Sequence, residues 1–600
     1  MGYGSRAQRV PAQGGAYLSD VDIYKLLLLA KTERGIVNAD GNPVVHDQIF
    51  SMNDYLPKCG GYNSSYYSSY VLQSFFEELD SNVECEAKVL SYVDSSAVQA
   101  TYEIMDGAGT PVKIFDISSG YRSLNDKSAF GNKIGIKITQ TEAISLKLTS
   151  DIAQSATSAI LNNVDNLEVG NYIKFTEGSD VEVKVITAIT PSTKTITFAA
   201  IATAGGFTAA GTTITRLDWK LEIAVKNEKG NYDKKEEWEH PFAQSDSIGM
   251  ASFVNNVNTG SEYVILAVNG SNGSNPEDQI PAELTVWTPL ASGSDGTAAT
   301  DSDWNTLATT YLGQTEFTIM LAPESTSVTH NGNMLDFCTD NYRGMYYAVA
   351  ANGATKATLE NFGATLRGSI KFGMLPGDKW IQIDDPTIAK KKIDIPKVGV
   401  DAASWFNTYS KYGESKVAAG NKSEMILRTS AVLLDSNDLV HDDIDNVGSR
   451  LIKNYSINIC RYRRGIGITN NSARTFSTDD GYKYQNQVMA FILYARSIVA
   501  YLRTIEQDRS GLGAQESHYK IIWAYMKDKY DAGHLFVGRK EDGSNTTFSD
   551  VCIIKNDFTI NTLANINNGI EETFLQFVSP PPIEEAILSL ASAGVTTVRS

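Results

Sequence analysis

The chain has 600 residues, 42% hydrophobic, 20% charged and 10% aromatic. These proportions predict several globular domains and exclude a disordered, collagenous or coiled-coil protein. With 52 Lys and Arg against 70 Asp and Glu the formal charge is -18, which repels phosphate backbones and argues against direct nucleic-acid binding.

Met1 to Gly15 carries Gly2, Gly4, Gly14 and Gly15 with Arg6 and Arg9 and no apolar stretch, so it predicts a flexible arm rather than a secretory signal. Val21 to Ala30 reads as a buried strand, and its apolar run is far below the roughly 18 residues that a membrane helix needs. No later run is long enough either, so no membrane insertion is expected. Tyr66 to Leu79 places Tyr66, Tyr70, Val71, Phe75 and Leu79 at helical spacing. From Leu161 to Leu217 the composition turns to Thr, Val and Ile, alternating at Val181, Val183 and Val185, with turns at Gly170, Gly178, Pro191 and Gly205-Gly206. This predicts a small all-β module (161–217) inserted between host strands at Lys133 to Thr139 and Lys220 to Val225. Asn269 to Pro276 and Ala291 to Asp303 are Gly, Ser and Asn-rich loops.

Between Trp304 and Val349 a helix, a strand at Phe317 to Leu321, a helix with Leu335, Phe337 and Tyr342, and a strand at Met345 to Val349 predict a sheet covered on both faces. Pro376, Pro386 and Pro396 punctuate an extended stretch. Arg450, Lys453, Arg461, Arg463, Arg464, Arg474 and Lys483 then face only Asp479 and Asp480, a basic island in an acidic chain. Segregated charge suits docking of an acidic partner surface, while the plainer reading pairs these arginines with carboxylates of the same chain. A long helix follows from Tyr482 to Asp508, with Val488, Ile492, Ala495, Val499, Leu502 and Ile505 on one stripe. Thr573 to Val578 alternates as a strand, and Pro580, Pro581 and Pro582 lead into a tail, Ile583 to Ser600.

Little in the chain spells chemistry. There is no GxxxxGK[ST] loop, no HExxH and no strand-borne GxGxxG. His46, His240, His330, His441, His518 and His534 are isolated, and a lone His is usually structural. Neither Asp442, Asp443 and Asp445 nor Asp384 and Asp385 have the spacing of a calcium loop. Tyr62, Tyr66, Tyr67 and Tyr70 form either a stacking platform or a helix start packed on its own sheet. Cys59, Cys85, Cys338, Cys460 and Cys552 are scattered without a CxxC pair, which excludes a disulfide framework and fits synthesis in a reducing cytoplasm. No catalytic, cofactor or metal residue is assigned.

In order along the chain, Ile49 to Tyr55 (IFSMNDY), Phe75-Phe76, Val89 to Ala100, Gly131 to Thr139 (GNKIGIKIT), Ser261 to Ile265, Gly293 to Gly296 (GSDG) and Asp384 to Pro386 form one pattern. Ser456 to Cys460 (SINIC), Gly465 to Gly467, Ala473 to Thr475 (ART), Tyr482 to Tyr484, the long helix and Phe577 to Ile587 (FVSPPPIEEAI) continue it. Read together they resemble the contractile-tail sheath proteins of myovirus-type bacteriophages and related contractile injection systems. Asn470-Asn471 stands where that family has a Trp before its ART-like motif, and Pro-Ile-Glu replaces its Pro-Ala-Glu near the end.

The resemblance implies a mixed α/β (α+β), multidomain tail-sheath fold. An α/β core domain would carry outer domains with an inserted all-β module. The division expected is an N-terminal linking arm (1–21), outer domains (22–400), a C-terminal core domain facing the tube (401–582) and a C-terminal linking arm (583–600). It further implies a structural subunit, not an enzyme, that polymerises as stacked rings around an inner tail tube. Contraction without nucleotide hydrolysis would drive the tube through the host envelope for genome delivery. Val10, Ala16, Tyr17, Phe577, Val578, Ile583, Ile587, Val595 and Val598 would lie in the arms that link subunits. Arg461, Arg463, Arg464, Lys483, Arg496 and Arg503 would face the tube. The implied partners are further copies of the chain, the inner tail tube protein, and baseplate and tail terminator proteins, without a cofactor. The location would be the virion, after synthesis in the host cytoplasm. The alternatives are the sheath of a bacterial contractile injection system or bacteriocin particle and, from another class, a multidomain surface carbohydrate-active enzyme.

Overall fold

The structure, a computed structural model, describes residues 18–582 apart from 106–112, 241–246, 269–280, 314, 389–390, 421–431, 434–448, 464–466, 505–511, 558, 563, 566–567 and 569. The early apolar run forms the strand Lys25–Ala30, paired in parallel with Glu86–Ser91 on one side and Ile319–Leu321 on the other. Met345–Tyr347 and Gly373–Met374 continue the parallel order, and antiparallel Val45–Ile49 closes the opposite edge of the six-stranded sheet. The first strand thus lies between the second and third parallel strands, so the winding reverses beside it, as in doubly wound folds.

Burial on both faces explains why this strand reads as an unbroken apolar run. Leu26, Leu28 and Ala30 pack with Val89, Ile319, Leu321 and Tyr347 against the helices Val398–Tyr412, Gln485–Thr504 and Leu512–Asp531. Leu27 and Leu29 pack with Leu90, Met320 and Tyr346 against Asp301–Tyr311, Val328–Asn341 and Lys356–Leu366. Thr300, Ser327 and Thr355 start those three helices by accepting a backbone N–H of the first turn. The doubly covered sheet expected around residues 304–349 is therefore present. A division at Val400, by contrast, does not follow the packing. It falls inside the helix Val398–Tyr412, and Lys25–Ala30, expected in an outer domain, is central to the sheet those helices cover.

The expected host strands are Ile134–Leu146 and Thr213–Lys226, a long antiparallel pair flanked by Tyr172–Glu177 and Asp180–Val185 on one side and Leu284–Pro289 on the other. The inserted module is larger than 161–217 and less separate. Its small core already contains Leu146, Leu148 and Ile152, together with Phe175, Ile196, Phe207 and Ile214. Leu217, Tyr172 and Val185 belong instead to the neighbouring core around Ile136, Trp219 and Ile223. The same long strands serve both cores, and their register shifts between Arg216 and Leu217, where one core gives way to the other.

A second outer sheet, built on Lys113–Tyr121, meets the six-stranded sheet through Arg34, in the loop after its first strand. The guanidinium is wholly buried. Its Nε donates to Asp126 Oδ2 at 2.8 Å, while Nη1 and Nη2 donate to the carbonyls of Pro57, Glu262 (2.7 Å) and Gly120 (2.7 Å). The rings of Phe130, Tyr121 and Tyr263 lie 5.2 to 5.8 Å from it. Asp126 Oδ1 accepts Gly35 N and Ser128 Oγ, so every nitrogen of the guanidinium and both oxygens of the carboxylate have a partner.

Smaller expectations resolve as follows. The helix expected at Tyr66 to Leu79 spans Ser68–Glu78, and of the two readings of the tyrosine run the packed helix start is the one present. Tyr62 packs against Tyr70 with its ring tilted, Tyr67 meets Trp380 edge-on, and Tyr66 Oη donates to Asp295. The Pro-punctuated stretch is a ribbon, Trp380–Asp384 with Lys392–Pro396. All five cysteines are buried and unpaired, and burial pushes the thiols of Cys460 and Cys552 up to about 12. The loop Asn269 to Pro276 lies outside the described residues. Among the described residues no helix is long and apolar enough to cross a membrane, and no group of three or more His, Cys, Asp or Glu is placed to hold a metal ion.

Candidate assembly surface

The two ends of the described chain meet on one pair of helices, Gln485–Thr504 and Leu512–Asp531. At the N-terminal end Leu18 is buried, Val21 N donates to Ser497 Oγ, and Asp20 accepts Tyr525 Oη (2.6 Å) and Lys529 Nζ (2.7 Å). Lys529 also pairs with Glu414 at 3.2 Å, and Tyr494 Oη donates to the same carboxylate at 2.8 Å. The ammonium lies 5.6 and 5.4 Å from the rings of Tyr494 and Tyr525, whose phenols burial and the nearby carboxylates hold well above their usual range. One Lys therefore ties residue 20, residue 414 and both helices together.

The C-terminal end arrives at the same Tyr494, whose ring is 5.0 Å from Phe577. Phe577 ends the strand Phe574–Phe577, paired antiparallel with Cys552–Lys555. Val578 N donates to Val551 O, Phe536 N donates to Val578 O, and Asn486 Nδ2 donates to Pro580 O at 2.7 Å. Phe577 and Val578, expected in a linking arm, are thus held in the chain's own ribbon. Among the described residues the two strands of that ribbon pair only with each other, leaving both outer edges open, and Ile553, Phe574 and Val578 are 43 to 45% exposed. Open strand edges pair with a further strand when one is offered. Val10, Ala16, Tyr17, Ile583, Ile587, Val595 and Val598 lie outside the described residues.

The basic island is not one surface. Arg461 and Arg463 lie on the strand Cys460–Arg463, paired with Gly467–Asn470, and Arg464 lies outside the described residues. Lys483 is partly exposed and paired with Asp480 at 3.1 Å, and Arg503 is exposed at the end of its helix. Arg496 is turned inward: its Nη2 donates to the Phe317 carbonyl, just before the interior strand Ile319–Leu321, and burial lowers its pKa to about 10. The expectation that Arg496 faces a partner is corrected by that contact. Val499, expected on the buried stripe of this helix, is 46% exposed, because the helix buries Ser497, Ile498 and Tyr501 instead.

The isolated histidines show no common site. His46 and His330 are buried, and desolvation, aided by the charge of Arg34, lowers the His46 pKa to about 4. His518 Nδ1 contacts Glu571 at 2.9 Å and His534 stands 3.8 Å from Glu414. The His240 side chain and His441 are outside the described residues, as are Asp442, Asp443 and Asp445. Asp385 spends its carboxylate on Thr387, Ile388, Lys391 and Tyr70, and Asp384 pairs with Lys392. Sequence reasoning did not find Asp20, Glu414, Tyr494, Tyr525 or Lys529, since nothing in the sequence couples residues about 500 positions apart.

No protein-family model matches the chain, and comparison with curated proteins finds no match. Solved structures do match. Over 59% of this chain and 84% of the other, it is similar to the helical sheath of the anti-feeding prophage in its contracted state, at 15% identity and a TM-score of 0.38. The likeness is to contractile injection system sheaths. A second match is the sheath complex of an extracellular contractile injection system in the contracted state, at 17% identity over 50% of this chain and 76% of that one, TM-score 0.37. A third is a chain of the anti-feeding prophage baseplate, at 16% identity over 50% of this chain and 75% of that one, TM-score 0.39.

Proposed function

We propose that this chain is the subunit of a contractile phage tail sheath, stacking as rings around an inner tube and contracting without nucleotide hydrolysis to deliver a genome. One observation carries the reading: both ends of the described chain are tethered to one helix pair beside a two-stranded ribbon with open edges. Residues 1–17 and 583–600, the arms of the sequence pattern, start from that shared tether. They would complete the ribbon of a neighbouring copy by strand addition, where main-chain hydrogen bonds keep subunits linked while they rotate. The other copies, the tube, the baseplate and the tail terminator would be its partners, and the virion its location. Arg461, Arg463, Arg464, Lys483 and Arg503 remain the tube-facing set, without Arg496.

Electron microscopy of purified protein tests this. Hollow cylinders that form without ATP or metal are expected, and dispersed particles overturn the reading. Protein lacking 1–15 or 583–600 is expected to stay folded and monomeric, and full-length cylinders from either deletion overturn strand exchange. In native particles a DNA-filled head on the sheathed tail separates the phage reading from an injection system.

A further inference from the structure

A small cavity lies at the C-terminal ends of the strands Met345–Tyr347 and Gly373–Met374, lined by Ala348, Asp378, Lys379, Trp380, Lys397 and Asp401 among others. Asp378, Lys379, Lys397 and Asp401 are each at most 4% exposed. Asp378 Oδ1 accepts Cys460 N at 2.8 Å, and Asp401 Oδ1 accepts Lys397 Nζ and Asn470 Nδ2 (3.1 Å). Cys460 and Asn470 face each other as the paired end residues of the hairpin that carries Arg461 and Arg463. The two carboxylates thus grip both strands of that hairpin at its base.

Each carboxylate keeps one buried oxygen, Oδ2, with no protein partner. A buried acceptor without a donor costs about 1–3 kcal/mol, and both of these oxygens belong to residues that line the one cavity. The cavity has room for about one water. Two carboxylates face two ammonium groups, so the charge is balanced and a cation is not required. A neutral molecule with two donor protons fits the need.

We propose that Asp378 and Asp401 form a hydrated clamp, in which one bound water donates to both Oδ2 atoms and the clamp sets how firmly the hairpin Cys460–Asn470 is seated on the core. This does not depend on the chain being a sheath subunit. The charged and titratable groups facing Asp378 are Lys379 on its own segment, Lys397 at the start of the helix Val398–Tyr412, and the Cys460 thiol on the hairpin, with Asp401 on the same cavity wall. Burial raises Asp378 to about 6, against the ordinary value of about 4 that it regains when the hairpin lifts and water enters. The seated form therefore binds the proton more tightly, and lowering the pH from 7.5 to 5 seats the hairpin more firmly.

The test is amide hydrogen exchange at Cys460 in the full chain between pH 7.5 and 5, corrected for the intrinsic pH dependence of exchange. Opening is expected to be about tenfold rarer at pH 5, and Asp378→Asn, which keeps the acceptor and cannot titrate, is expected to flatten that dependence, leaving only the part that Asp401 contributes through Asn470. A flat profile in the wild type, or an unchanged slope in D378N, overturns the clamp. If D378N does not fold, Lys379→Gln serves: loss of that cation moves the midpoint to higher pH, and an unmoved midpoint overturns the proposal. A high-resolution density map is expected to show one peak within hydrogen-bonding distance of both Oδ2 atoms. No peak, or a peak with the short multiple oxygen contacts of a metal, overturns the bound water.

Discussion

The six-stranded sheet and its joint with the outer β region are held by opposite means. Along Lys25–Ala30 successive residues are buried alike, because helices cover both faces, and the cohesion comes from apolar area with no partner requirement. At the joint a single guanidinium makes four contacts to Asp126 and three carbonyls, every one of them directional. An apolar face tolerates small shifts, whereas a buried charge holds one geometry or fails. The core is thus built to pack, and the outer region is built to sit at one angle.

The largest effect expected is at Leu27. Leu27→Asp places a carboxylate between two apolar layers, and no cooperative unfolding transition should remain in a thermal melt. Arg34→Met comes next, with a loss of about 3–5 kcal/mol by urea denaturation, because it leaves Asp126 buried and unpaired. Adding Asp126→Leu should restore part of it, and if the double variant is no better than the single one, the joint does not work as an isolated pair. The third prediction uses pH. His46 in the folded chain titrates near 4, below its ordinary value of about 6.5, so the unfolded chain binds the proton first. Its contribution is intact above pH 6.5 and is lost, up to ~3 kcal/mol, as the pH falls towards 4. His46→Gln should flatten the stability profile in that window, and R34M should make it shallower, since Arg34 helps to depress the His46 pKa. Lys529→Met should cost about 1–3 kcal/mol and raise exchange at Val21, by stranding Glu414. Smallest, Lys234→Gln on the strand Tyr232–His240 should leave the urea midpoint unchanged, since that ammonium is exposed.

What was legible in the sequence follows from the same contrast. The apolar run at Leu26 to Leu29, the βαβ alternation after Trp304 and the host strands around 134 and 220 declare themselves by local pattern, and each is present. The first end of the inserted module was not legible, because Ile134–Leu146 keeps its apolar residues at even positions while passing from one core to the other, whereas Thr213–Lys226 changes its buried parity between Ile214 and Leu217, at a shift of register. Arg496 was expected to face the tube from the resemblance, and its use on the Phe317 carbonyl depends on a residue 179 positions away. The Asp20, Glu414 and Lys529 cluster gave no signal for the same reason. Composition records what a residue prefers, and a polar contact is fixed by where the fold brings its partner.

The five buried thiols have a practical consequence. Each reacts with an alkylating reagent only when the structure above it opens, so the cysteines act as clocks for different motions of the same molecule. Cys59 and Cys85 lie in the core that lines one face of the sheet, and their labelling rate times the opening of that core. Cys460 lies at the base of the basic hairpin and times its lifting, while Cys552 lies in the ribbon Cys552–Lys555 with Phe574–Phe577 and times its fraying. In a polymer joined by strand addition only the last of these clocks should slow, which distinguishes a tightened subunit from a completed ribbon without an image of either.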